Sequence, residues 1–217
     1  MTRLTVTDHD RDAAGMTYVY PVVSRRAGGV SVGINLNPNN ACNWRCAYCQ
    51  VPELVRGAAP PIDIPQFESE LRTLLTQVRD PAWLEDNVEA PYRRMVDIAF
   101  SGNGEPTTSH QFDDVVDRAL AIVAEQGLGG LNKVLITNGS MMQRATVQRG
   151  IALLGEAGGE VWFKLDSATA VGRRAINDAA SSPEAARRSL RICAAACRTR
   201  IQTCVFATDE QPPSESE

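Results

Sequence analysis

The sequence predicts an α/β fold: a parallel sheet with helices packed outside it, entered through a short N-terminal β-hairpin. Two observations carry this. Short β-branched runs alternate with longer stretches of helical apolar spacing, the pattern of successive βα units. The runs also end in Gly, Asn or charged residues, where open α/β sheets and barrels gather their sites.

Taken in order, Tyr18 to Val23 reads as a strand, Arg25 to Gly29 as a turn, and Val30 to Leu36 as the returning strand. That strand runs through Asn37-Pro38-Asn39-Asn40 into a loop holding three cysteines. Gln50 to Pro65 carries Pro and Gly and reads as loop. Phe67, Leu71, Leu74, Leu75 and Val78 have helical spacing, and Trp83 and Leu84 begin a further short helical piece. Val96 to Phe100 is the next strand, and Asp113 to Glu125 its helix. Lys133 to Thr137 and Met141 to Ala157 form another strand and helix. Val161 to Leu165 is a strand, Ser182 to Arg198 a helix capped by Ser182 with Glu184 in its first turn, and Ile201 to Phe206 a last strand. Five strands from residue 32 onward therefore belong to βα units. The fifth has no helix after it, so a last βα unit is expected to be missing.

A chain of 217 residues can build one large domain with a sizeable core. The expected organisation is an N-terminal extension and hairpin strand at 1–29, a core at 30–207 and a polar tail at 208–217. A net charge of −4 is not that of a basic nucleic-acid-binding domain, although a local patch stays open. No apolar run has the length of a signal peptide core or a membrane span, so a cytoplasmic protein is expected. In that setting six cysteines read as reduced thiols and metal ligands rather than disulfides.

Three of the six stand together as Cys42, Cys46 and Cys49, spaced C-x3-C-x2-C with Tyr48 just before the last. Iron–sulfur clusters usually take four cysteines. Three leave one metal position for a non-protein ligand, as catalytic metal sites do. The plainer alternative is a structural zinc site completed by a distant cysteine. Gly102-Asn103-Gly104-Glu105-Pro106 ends the second strand of the series, where glycines let backbone approach a ligand and Glu105 can accept from an ammonium. Thr137-Asn138-Gly139 ends the third, either as a contact or as a turn with Asn or Gly left-handed. Lys164 and Asp166 end the fourth and are expected to share one side of an alternating strand; Lys164 and Lys133 are the only lysines. Cys193, Cys197 and Cys204 could form a second metal site but read more readily as small buried side chains. Arg187, Arg188 and Arg191 read as a solvated helix face. His9 and His110 are given no role.

This combination resembles the radical S-adenosylmethionine (SAM) superfamily over roughly residues 30 to 207. Asn35-Leu36-Asn37-Pro38, Cys49-Gln50-Val51-Pro52, Ser101 to Thr107 and Phe163-Lys164-Leu165-Asp166 look like the group related to wyosine-type tRNA synthases. The resemblance implies a partial (β/α)6 barrel. It implies that Cys42, Cys46 and Cys49 hold a [4Fe–4S] cluster whose fourth iron binds SAM. Tyr48, Gly104, Glu105, Pro106, Asn138, Lys164 and Asp166 are then the SAM-binding residues. It further implies a 5′-deoxyadenosyl radical that takes hydrogen from a substrate, an electron donor such as flavodoxin or ferredoxin, and a substrate range that includes tRNA bases. A non-catalytic cluster- and SAM-binding module is the rival expectation, because of the missing βα unit.

Overall fold

The structure is a computed structural model, and it describes residues 3–7 and 14–206. The expected polar tail at 208–217 lies outside them. In chain order the elements are β1 (Val19–Ser24), β2 (Gly29–Ile34), β3 (Ala41–Cys42), β4 (Val55–Arg56), α1 (Ile64–Arg79), α2 (Pro81–Asn87), β5 (Met95–Phe100), α3 (Phe112–Glu125), β6 (Asn132–Thr137), α4 (Ala145–Glu156), β7 (Glu160–Lys164), α5 (Ala170–Asn177), α6 (Pro183–Ala196) and β8 (Arg198–Gln202).

Six strands form one sheet in the order β1-β2-β5-β6-β7-β8. β1 pairs antiparallel to β2 as the expected hairpin. The five strands from β2 onward are all parallel, with β1 and β8 as the two edges. The sheet is thus an open, partial barrel rather than a closed one.

Alternation along each strand divides the sheet into two faces. Val30, Val32, Ile34, Ile98 and Phe100 are fully buried in a core shared with Phe67, Leu71, Leu74 and Leu75 of α1 and Val115, Val116 and Ala119 of α3. Burial of this one face supplies most of the driving force for folding, at about 25 cal/mol per Å² of apolar surface. The helix ends follow their sequence signals. The Asp63 carboxylate accepts from the Gln66 N–H with Pro65 in the first turn of α1. The Ser182 hydroxyl accepts from the Ala185 N–H ahead of Pro183 in α6. Each cap satisfies a donor the helix itself cannot.

Besides shifted ends, such as α4 starting at Ala145 rather than Met141 and the last strand ending at Gln202 rather than Phe206, and the short β4 inside the stretch read as loop, two departures stand out. The last strand begins three residues before the expected Ile201. Cys197 closes α6 in extended backbone, its N–H on the Cys193 carbonyl, and the chain enters β8 with no loop between. Helical spacing carried the sequence reading past that stop. The second departure is α5, capped by Thr169 and ended by Asp178 in the left-handed conformation at φ 49°. Its buried residues are Gly172, Arg173 and Asn177, and Val171 is exposed, so it has no apolar stripe for periodicity to detect.

Candidate functional site

The three clustered cysteines follow β2, and the chain closes them into a loop. β3 pairs in parallel with β4, joining Ala41 to Val55 and Cys42 to Arg56 at the loop's two ends. Inside, the Cys49 N–H donates to the Cys46 carbonyl at 3.0 Å. The loop rests on the C-terminal end of α5: the Arg45 N–H donates to the Asn177 carbonyl at 3.1 Å and the Ala47 N–H to the Ile176 carbonyl at 2.7 Å. The Asn177 side-chain amide donates to Cys46 Sγ at 3.3 Å and to Asp166 Oδ2 at 2.6 Å. Asn43 ties the loop to the third strand tip, giving its amide to Ser140 Oγ at 2.7 Å and accepting from Asn138 Nδ2 at 2.9 Å.

A cleft of about 260 Å³ opens beneath this loop, lined by Cys42, Cys46, Cys49, Trp44 and Tyr48 on one side. Gly104, Glu105, Asn138 and Lys164, from three successive strand ends, line the other. The topology thus brings five of the seven expected cofactor residues to one cavity with all three cysteines. Pro106 and Asp166 are not among the lining. Pro106 begins the short 3-10 turn after Glu105, and Asp166 is buried behind Tyr48.

Glu105 is 3% exposed and heavily hydrogen-bonded. Its Oε1 accepts from the Thr107 N–H at 3.1 Å, Thr107 Oγ1 at 2.5 Å and Thr137 Oγ1 at 2.6 Å. Its Oε2 accepts from the Asn138 N–H alone, at 2.7 Å. Burial raises the acid's pKa and these four donors oppose the rise. Oε2 therefore keeps acceptor capacity at the cleft wall, where an ammonium would favour the ionised form.

The glycines serve a close approach within the protein itself. A Cβ on Gly104 would stand 2.0 Å from the Ala41 carbonyl oxygen, and one on Gly102 would stand 2.2 Å from Asn35 Oδ1. They let the second strand end press against the end of β2 and the stem of the cysteine loop, and both also line the cleft. Gly139 does take the left-handed conformation of a turn, φ 71°, with the Phe163 ring where a side chain would go. Asn138 spends its amide on Asn43 and its carbonyl oxygen on the Ser140 N–H, so its side chain braces the loop.

Lys164 and Asp166 do not pair: no ion pair joins them among the described residues. β7 stops at Lys164, so strand alternation no longer governs Asp166. The Lys164 ammonium lies 4.6 Å from the centre of the Tyr48 ring, a cation–π contact. The Tyr48 hydroxyl donates to Asp166 Oδ2 in a short hydrogen bond, and Asp166 Oδ1 accepts from the Cys204 N–H at 2.8 Å. Burial and the Asp166 carboxylate both raise the tyrosine pKa, keeping the phenol protonated as the donor.

All six cysteines are free thiols. Burial pushes Cys42 up to about 11 and raises Cys46. Each of these sulfurs already receives an N–H, Cys42 from Trp44 at 3.5 Å and Cys46 from Asn177 at 3.3 Å, the support a thiolate ligand needs. Cys193 and Cys197 stand elsewhere, buried in the helix-side core. Cys193 meets Met142 Sδ at 3.2 Å and Cys197 the Gly159 carbonyl at 3.3 Å. Among the described residues no three His, Cys, Asp or Glu side chains are grouped to hold a single metal ion. The cleft carries three thiols, with no histidine in its lining and with the Glu105 carboxylate on the wall.

A family profile described as the radical SAM superfamily matches residues 36–210. The chain belongs to the radical SAM superfamily. No curated protein matches its sequence. A solved structure titled "Structure of TYW1 with a lysine-pyruvate adduct bound" resembles it with a TM-score of 0.52 at 16% identity, over 80% of this chain and 54% of that one. The chain thus spans about half the length of that protein, and the likeness is one of fold. Radical SAM proteins typically bind a [4Fe–4S] cluster and SAM. Sequence reasoning missed Asn177 and Asn43 as the side chains that brace the cysteine loop. Asn43 lies inside the motif, so its position was a signal. Asn177 belongs to a helix without an apolar stripe and left none.

Proposed function

We propose that this chain is a radical SAM enzyme in which Cys42, Cys46 and Cys49 hold a [4Fe–4S] cluster and SAM fills the cleft beside it. The observation that carries this reading is the convergence of all three cysteines, Glu105 and Lys164 on one cavity at the strand ends. When bound and reduced by a flavodoxin- or ferredoxin-type donor, the cluster supplies cleavage of SAM to methionine and a 5′-deoxyadenosyl radical, which takes a hydrogen atom from substrate.

The chain's own groups bind and orient. Glu105 accepts from the SAM ammonium through Oε2, while Thr107, Thr137 and the Asn138 N–H hold the carboxylate in place. Lys164 offers a cation to the SAM carboxylate or ribose. Tyr48 presents backbone groups to the adenine, its ring held by Lys164 and its hydroxyl by Asp166. Gly104 and Pro106 shape the strand end that carries Glu105. Trp44 walls the cleft and excludes water. The substrate is unassigned, with a tRNA base within the range; no membrane partner is proposed, and the place of action is the cytoplasm.

Anaerobic reconstitution should give about four irons per chain, and dithionite with SAM should give 5′-deoxyadenosine. Replacing Cys42, Cys46 or Cys49 by Ala should abolish both. Cleavage of SAM by the triple variant would overturn the assignment. The open sheet favours one second reading, a cluster- and SAM-binding module without turnover, since an unclosed barrel leaves the cleft nearer to water. Cluster and SAM binding with no 5′-deoxyadenosine would select it.

A further inference from the structure

A second pocket lies on the sheet face turned away from the helices. It has a volume of about 170 Å³, and its lining shares Ser101 and Ile136 with the cysteine cleft. Its walls are apolar and aromatic, including Val134, Tyr20 and Trp162, but its polar groups are unusual. Asp97 is 4% exposed, and its Oδ1 is buried with no hydrogen-bond partner. Buried carboxylate oxygens are nearly always paired, and an orphan calls for an explanation. The Ser31 hydroxyl donates to the same carboxylate, and Glu160 and Arg26 lie within electrostatic reach of it.

Arg26 is the complement. It is exposed on the turn between β1 and β2 and lines the same pocket. Its guanidinium carbon lies 4.2 Å from the centre of the Trp162 ring, a cation–π contact that uses the face of the group and not its N–H donors. Among the described residues no hydrogen bond or ion pair uses those donors. One pocket thus holds an acceptor without a donor and a donor fork without an acceptor, divided by apolar walls. A lone amine would meet the repulsion of Arg26, and a lone carboxylate that of Asp97. A molecule carrying both charges satisfies both ends. The volume is well below the roughly 300–1,000 Å³ of drug-sized sites, which points to a small metabolite.

We propose that this pocket is a second ligand site that takes a small zwitterion of the amino-acid class, its ammonium on Asp97 and its carboxylate on Arg26. Its shared wall with the cleft at Ser101 and Ile136 places such a ligand beside the proposed SAM site, as a substrate would be; that role rests on the radical SAM reading, while the binding itself does not.

The test is saturation-transfer NMR on the cluster-reconstituted chain, with the twenty common L-amino acids, simple alkylamines and simple carboxylates as probes. At least one amino acid should bind, more tightly than the amine or carboxylate that shares its side chain. Arg26→Ala should weaken that binding tenfold or more, and so should Asp97→Ala. Arg26 is exposed, so its variant keeps the test valid if the Asp97 variant fails to fold. No binding by any amino acid, equal binding by amines, or binding unchanged in Arg26→Ala would overturn the proposal and leave Asp97 completed by water. Failure of the wild type to form 5′-deoxyadenosine would count against the enzyme reading alone, because amino-acid binding is measured without reductant.

Discussion

Cys193 shows how the same residue type divides by surroundings. Burial pushes its thiol up to about 12, and its neighbours are Met142 and the helix-side core. Such a thiol is a small apolar side chain, as the sequence suggested. Cys193→Ser should lower stability by about 1–3 kcal/mol through an unpaired buried hydroxyl, seen as a lower urea midpoint, with reconstituted iron unchanged. Loss of iron in that variant would instead reveal a second cluster. Asp97 carries a pH prediction. Burial raises its pKa, with Ser31 and Arg26 opposing and Glu160 adding to the rise. A carboxyl with a raised folded pKa stabilises the fold below its unfolded value, near 3.9, and loses that contribution as pH rises through the folded value. Asp97→Asn should therefore raise the melting temperature at pH 7, and the gain should shrink as the pH falls toward 3.

At the scale of elements, the strand ends were legible and their contacts were not. Gly104 was singled out as a place for close approach, and it is one. The partner is the Ala41 carbonyl, 63 residues away by number and brought near by the parallel pairing of β2 with β5, which no local pattern announces. Gly104→Ala should cost about 1–3 kcal/mol from overpacking and weaken SAM binding more than its effect on melting explains; equilibrium dialysis beside calorimetry would separate the two. α1 was readable from its apolar spacing and α6 from its Ser182 cap. The expectation that Lys164 and Asp166 share one side of a strand extended the alternation two residues beyond the end of β7.

For the whole molecule, the sequence pattern was enough for the parallel series, the hairpin entry and the cysteine loop at a strand tip. It could not show that the helices bury only one face of the sheet and leave the other with Asp97, Arg26 and Trp162. Apolar periodicity reports on burial, and polar inner-face positions look the same as solvent-facing ones. The support under the cysteine loop has its own consequence. α5 holds that loop through the Ile176 and Asn177 carbonyls and the Asn177 amide, yet it buries no large apolar side chain. It sits in the chain just before α6 and the edge strand β8, the side of the sheet with one hydrogen-bonded neighbour. Protection against hydrogen exchange should therefore fall from β5 and β6 outward, with α5 and β8 fraying at the least free energy. On heating, the visible absorbance of a reconstituted cluster should be lost several degrees before the far-ultraviolet dichroism of the helices. Coincident transitions would show that the loop opens only when the whole sheet does.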